Sequence, residues 1–228
     1  MLKKNIENIQ ELGDQKSLIT DEVNLGIVTL PKKIYIFDNL TLELSGDLSF
    51  GMEDRVLIFG DSGTGKTQLL KILSGLNISK HGEVVLDSDG TIIEACRLRK
   101  QFLYIPQNPY IFSGNLKDNL TFGKNISDDI IIDMLIRMNM QYLWDEQNLN
   151  IFNISGGEKQ RVALARGVLL SSKFLLLDEV NSMIDEQTTR DIRGYLSQRN
   201  VGFIEVAHKA SKEDKILYNK FIKVERIV

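Results

Sequence analysis

A single cysteine, Cys96, stands in this chain of 228 residues, so no internal disulfide can form. That suits a reducing compartment, and Cys96 carries no assigned role. A basic excess is missing too: 28 Lys and Arg against 31 Asp and Glu give a net charge of −3. Nothing in the total suggests the broad positive field of a nucleic-acid binder; a local basic patch stays open, and no nucleic-acid partner is expected. Apolar runs such as "FLLL" at 174–177 are far shorter than the roughly 20 residues a helix needs to cross a bilayer. The opening 1–22, "MLKKNIENIQELGDQKSLITDE", begins basic but lacks the apolar centre of a signal peptide, and reads as a polar helix or linker. Repeats and low-complexity tracts are lacking. What remains, 23–228, is long enough to bury a substantial core and is expected to form one soluble α/β unit.

Two β-like runs, "NLGIVTL" and "IYIFDNLTLEL", precede "DRVLIFG", which reads as a buried strand entering a glycine turn. "KTQLLKILSGL" follows, with Leu69, Leu70, Ile72, Leu73 and Leu76 marking one helix face. The strand-like "QFLYIPQ" stops at Pro106, and helical patterns in "SGNLKDNL" and "DDIIIDMLIRM" make 109–151 a helical insert. Trp144, Phe112, Met134, Met138 and Met140 read as packing within it. A long helix after Ser155, an apolar strand "FLLLDE", a helix through "TTRDIRGYL" and a strand "GFIEVAH" complete an alternating α/β order. His81, in the loop "SKHGE", is expected at the surface.

The run Gly60-Asp61-Ser62-Gly63-Thr64-Gly65-Lys66-Thr67 fits the phosphate-loop pattern in full, between an expected strand and helix. Its glycines let backbone amides wrap a polyphosphate, Lys66 reaches the outer phosphates, and the Thr67 hydroxyl is suited to Mg²⁺. The strand "FLLLDE" delivers Asp178 and Glu179 at its carboxyl end, where open α/β sheets place ligands. Asp178 is a candidate for the Mg²⁺ shell and Glu179 for the base that polarises the attacking water. "NISGGEKQR" raises a separate question. Ser155 and Glu158 have capping-box spacing, yet capping does not need Gly156 and Gly157; bare amides at a helix start make an anion site.

"ISGGEKQR" closely resembles the signature sequence of ATP-binding cassette (ABC) proteins, and it lies about twenty residues ahead of the Asp178 strand, as that family has it. Gln107 in "YIPQNPYIFSG" looks like the family's Q-loop glutamine, Ser182 to Asp185 like its D-loop, and His208 like its switch histidine. The resemblance covers nearly the whole chain from about Asn24. It implies a P-loop ABC-type ATPase core with an antiparallel β subdomain and an inserted α-helical subdomain. It also implies two cassettes stacked head to tail, with Ser155, Gly156, Gly157 and Glu158 of one facing ATP held by Gly60–Thr67 and Gln68 of the other. Thr67, Gln107 and Asp178 would hold the metal, while Glu179, His208 and Lys66 would carry the catalysis.

"LYIPQNPYIFSGNLKDNLTFG" resembles the exporter type, which implies a cytoplasmic cassette at the inner face of the membrane, driving transport through a transmembrane partner. The alternatives are a soluble cassette acting on ribosomes or DNA, whose relatives usually carry two cassettes or long coiled-coil arms, and a regulatory cassette with little turnover. Some positions depart from the family pattern. Glu158 stands where the signature usually has Gln. Leu30 stands where an aromatic normally stacks on adenine, leaving Tyr35 as the candidate, and "SGDLSFG" reads as a lengthened hairpin turn.

Overall fold

The computed structural model describes residues 26–37, 40–78, 85–145, 150–170, 174–180, 184–198, 201–210 and 214–227. The segment 1–22, His81 and Ser182 lie outside the described residues. The sequence "FLLLD" forms strand β7 (Phe174–Asp178) with all five residues buried. An unbroken apolar run is what a strand covered on both faces requires. Around it stands a seven-stranded sheet in the order β2 (Lys33–Phe37), β3 (Leu40–Leu44), β9 (Lys220–Ile227), β5 (Arg55–Phe59), β8 (Phe203–Ala207), β7 and β6 (Phe102–Ile105). From β9 to β6 every pairing is parallel, whereas β2–β3 and β3–β9 are antiparallel. The antiparallel portion expected from the sequence is thus an edge extension of the main sheet.

"SGDLSFG" is not a turn. Its residues Leu48–Phe50 form β4, which pairs antiparallel with β1 (Val28–Leu30) in a separate two-stranded sheet, Val28 opposite Phe50 and Leu30 opposite Leu48. These four side chains are buried, and burying each of them favours pairing over a solvated hairpin by about 1.5–3 kcal/mol.

Alternation along β7 splits the core in two. Leu176 joins Leu69, Leu70 and Leu73 of helix α1 (Lys66–Leu73) on one face of the sheet. Leu175 and Leu177 join Val162, Leu164 and Ala165 of helix α6 (Gly156–Leu170) on the other. Leu76 falls beyond the end of α1 and is exposed instead of continuing its buried face.

Helices α2 (Ala95–Gln101), α3 (Leu116–Thr121), α4 (Asp128–Arg137) and α5 (Gln141–Asp145) fill the stretch before α6, the last three inside the expected helical insert. Met134, Met138 and Met140 are buried there, as expected of packing residues, and Trp144 is partly buried. Phe112 is exposed. It stacks edge-on against Tyr110 (4.8 Å between centroids) and Phe122 (5.0 Å), and the Arg166 guanidinium lies over its ring and that of Phe122. A cation over the ring face stabilises an aromatic at the surface without core burial. A 3₁₀ turn at Ile151–Asn153 leads into α6, and helices α7 (Glu186–Gln198) and α8 (Asp214–Leu217) complete the described elements.

Candidate active site

Four parallel strands end along one edge of the sheet, and each hands over one part of the site. β5 runs into the loop Gly60–Gly65, β8 into His208, β7 into Asp178 and Glu179, and β6 into Gln107. This is the carboxyl edge, where open α/β sheets form their crevices.

Close approach explains two of the loop's glycines. A Cβ on Gly60 would lie 2.3 Å from the Val224 carbonyl oxygen, and one on Gly65 would meet Leu42 at 2.7 Å. Gly65 also has φ of 100°, a left-handed conformation that glycine alone adopts freely, and no side chain caps α1 behind it. The first amides of α1 thus receive no bond from a cap side chain, an arrangement that suits an anion. The Lys66 ammonium is buried in the loop, donating to the carbonyls of Gly60 and Asp61, both at 2.8 Å. Burial pulls its pKa below the usual lysine value, although the charges of Glu179, Asp178 and Asp61 oppose the shift.

The Thr67 hydroxyl donates to Asp178 Oδ1 (3.0 Å), joining residues 111 apart in sequence. The other carboxylate oxygen, Oδ2, accepts from the Tyr104 hydroxyl at 2.7 Å. Burial, with the adjacent Asp178 carboxylate, pushes the Tyr104 phenol up, so it stays a protonated donor at neutral pH. Glu179 follows in a left-handed backbone conformation, φ 49°, which ends the strand's alternation. Its Oε2 accepts from Gln107 Nε2 (3.1 Å), and its Oε1 lies 3.4 Å from His208 Nε2. Glu179, Gln107 and His208 therefore meet at one carboxylate, next to the Thr67–Asp178 pair.

The start of α6 is built differently. Glu158 N donates to Ser155 Oγ (3.3 Å) and Ser155 N to Glu158 Oε2 (2.6 Å), a reciprocal capping box. Tyr142 of α5 donates to the other Glu158 oxygen. Desolvation raises the Glu158 pKa, but the bonds from Ser155 and Tyr142 outweigh it and hold the carboxyl below its ordinary value.

The family model described as "ABC transporter" matches residues 45–182. The chain belongs to the ABC transporter family. Membership implies ATP binding and ATPase activity. The cassette is 33% identical to the sublancin-168-processing and transport ATP-binding protein of Bacillus subtilis, over 94% of this chain and 30% of that protein. It is 34% identical to the lactococcin-A transport/processing ATP-binding protein of Lactococcus lactis, over 72% of this chain and 25% of that one. A solved structure described as a bacterial Atm1-family ABC exporter with ATP bound superposes with a TM-score of 0.68 at 25% identity, covering 82% of this chain and 35% of the other. The cassette thus spans about a third of the length of the relatives it matches, and among the described residues no helix is long and apolar enough to cross a membrane.

The cassette brings together Lys66, Thr67, Gln107, Asp178, Glu179 and His208 of the residues singled out from sequence. Gln68 lies in α1 and accepts from Asn77 Nδ2 (2.7 Å). Ser62 and Gly63 form the exposed turn of the loop, closed by the half-buried Thr64, whose Oγ1 donates to the Asp61 carbonyl (2.9 Å). Asp185 accepts from Thr188 N (2.9 Å), capping α7. Tyr35 is exposed on β2, where it pairs with Thr41.

Two residues of the site were missed. Tyr104 is one; period-2 spacing on "FLYIPQ" was the available signal. Gln160 is the other: fully buried on α6, it donates through Nε2 to the Gln107 carbonyl (2.9 Å) and ties the start of α6 to the segment after β6. It stands between Lys159 and Arg161, ahead of the apolar run of α6, where a polar residue carries no signal of burial.

The donor chemistry suits Mg²⁺. This ion takes hard oxygens, commonly one or two carboxylates together with substrate phosphates and water, and needs no all-protein cage. Thr67 and Asp178 supply such oxygens side by side, and among the described residues no cluster of three His, Cys, Asp or Glu exists to hold a metal alone.

Proposed function

We propose that this chain is the ATP-hydrolysing cassette of an exporter-type ABC transporter, working at the cytoplasmic face of a membrane as one half of a head-to-tail pair. The observation that carries the reading is the meeting of Gln107 and His208 at Glu179, beside the Thr67–Asp178 pair, on one sheet edge.

ATP is the substrate. The amides at the head of α1 and the Lys66 ammonium bind its phosphates, the ammonium exchanging two loop carbonyls for phosphate oxygens. Thr67, Asp178 and the Gln107 side-chain oxygen are the groups that would hold Mg²⁺, whose charge would offset that of the phosphates. A hydroxyl has one proton to donate and two lone pairs, so Thr67 can bond Asp178 and still offer oxygen to a cation. Glu179 accepts a proton from water as the water oxygen bonds to the γ-phosphorus. The bond from that phosphorus to the β,γ-bridging oxygen breaks, and ADP leaves with its electron pair. Gln107 and His208 hold the Glu179 carboxylate in place, and His208 steadies the charge that develops on the γ-phosphoryl oxygens.

The signature helix serves the partner cassette's ATP. Its capping box leaves the amides of Gly156 and Gly157 uncommitted, and a helix start carries about half a positive charge. Loss of the γ-phosphate removes much of that attraction and lets the two cassettes part. Tyr110, Phe112 and Phe122 form an exposed aromatic surface on the stretch following Gln107, a face suited to the membrane partner.

ATP turnover by the native chain and by Glu179→Gln tests the reading. The expected result is a fall in turnover of about 10²–10⁴-fold, the usual contribution of a general base, with ATP binding retained. Equal turnover by the two proteins would remove Glu179 from the mechanism.

A further inference from the structure

We infer that Tyr104 is a positioning residue for the metal-binding carboxylate, setting the affinity of the site for Mg²⁺ by locking the Asp178 side chain. The inference rests on the ATPase reading above, and it concerns a residue that the motif pattern does not include.

Register puts Tyr104 where it can do this. It lies on β6 opposite Leu176 of β7, so its side chain leaves the same face of the sheet as Leu176 and Asp178 two residues further on. The distance is spanned by the length of the tyrosine ring. Its hydroxyl then donates to Asp178 Oδ2 at 2.7 Å while Thr67 donates to Oδ1 at 3.0 Å. Two donors on two different oxygens, one from β6 and one from α1, fix both the plane and the rotation of the carboxylate. With only one of them, Asp178 would be free to turn about the remaining bond.

The ring is itself held. Two residues earlier on the same face, Phe102 packs edge-on against Phe174 (5.6 Å between centroids), and Tyr104 is partly buried against the same core. A phenylalanine would satisfy that packing. The hydroxyl adds only the bond to Asp178. Groups that orient a metal ligand in this way change metal affinity by about 10–100-fold when removed.

The test is a titration of a fluorescent ATP analogue against the native chain and Tyr104→Phe, first in chelator and then at rising Mg²⁺. Analogue binding in chelator should be the same for both proteins, showing that the fold and phosphate loop are intact. The half-saturating Mg²⁺ should rise about 10-fold in Tyr104→Phe. In an Asp178→Ala background, Tyr104→Phe should add no further shift, since the group it positions is gone. Superimposable Mg²⁺ curves for the native chain and Tyr104→Phe would overturn the inference and leave the ATPase reading standing. A shift of equal size in the Asp178→Ala background would overturn it too, by showing that Tyr104 acts elsewhere. No binding of the analogue by the native chain would overturn the ATPase reading, and the inference with it.

Discussion

Two helix starts in this cassette face phosphate in the proposed dimer, and they are held by different means. The start of α1 has no side-chain cap. Its position depends on distant parts of the chain: Val224 and Leu42 pack on the loop glycines, and Asp178 binds Thr67. The start of α6 is closed mainly by its own turn, Ser155 and Glu158 bonding each other's amides with support from Tyr142. The first is an arrangement of the whole sheet edge and the second is largely local. A site that must bind its own ATP is thus built into the core, while the surface offered to a second copy keeps its shape with few outside contacts. Gln160 joins the two, reaching from α6 to the Gln107 carbonyl.

The largest effect expected from breaking this contrast is at Gly60. Gly60→Ala places a methyl against the Val224 carbonyl, so the loop or β9 must shift; overpacking of this kind costs about 1–3 kcal/mol, and ATP binding should be lost with it. Thermal unfolding and nucleotide titration read the two outcomes. Ser155→Ala, by contrast, should cost only about 0.5–1 kcal/mol, the low end for a lost N-cap given the 3.3 Å bond, and leave binding of ATP in the phosphate loop intact. A loss of binding comparable to that of Gly60→Ala would end the distinction between the two starts.

The smallest effect concerns pH. The Glu158 carboxyl is held below its ordinary value in the fold, so its contribution to stability is present above the unfolded value of about 4.3 and fades as pH falls through the folded one. Denaturant unfolding of the native chain and Glu158→Gln should therefore differ at neutral pH and converge in acid. A difference that grows in acid would contradict the cap geometry.

Much of the phosphate-loop end was legible because its signals are local: a strand, a glycine turn and an amphipathic helix in unbroken order, then strands ending in Asp178, Gln107 and His208. β4 was not, because its three residues sit between glycines and find their partner strand about 20 residues away. Phe112 packs against Tyr110 and Phe122 as read, but at the surface, under the Arg166 guanidinium. Period-2 spacing places Tyr104 on one face of its strand, but an aromatic is ordinary there and the pairing register is needed to show which carboxylate it meets.

The central claim is that the signature helix of one copy closes over ATP bound by another. Sedimentation velocity on Glu179→Gln with and without Mg·ATP tests it most directly, using Glu179→Gln/Ser155→Arg as the comparison. Glu179→Gln should double in mass only when ATP is present, and Glu179→Gln/Ser155→Arg should stay a monomer while binding ATP equally well. A dimer that forms without ATP, or that survives Ser155→Arg, would contradict the account.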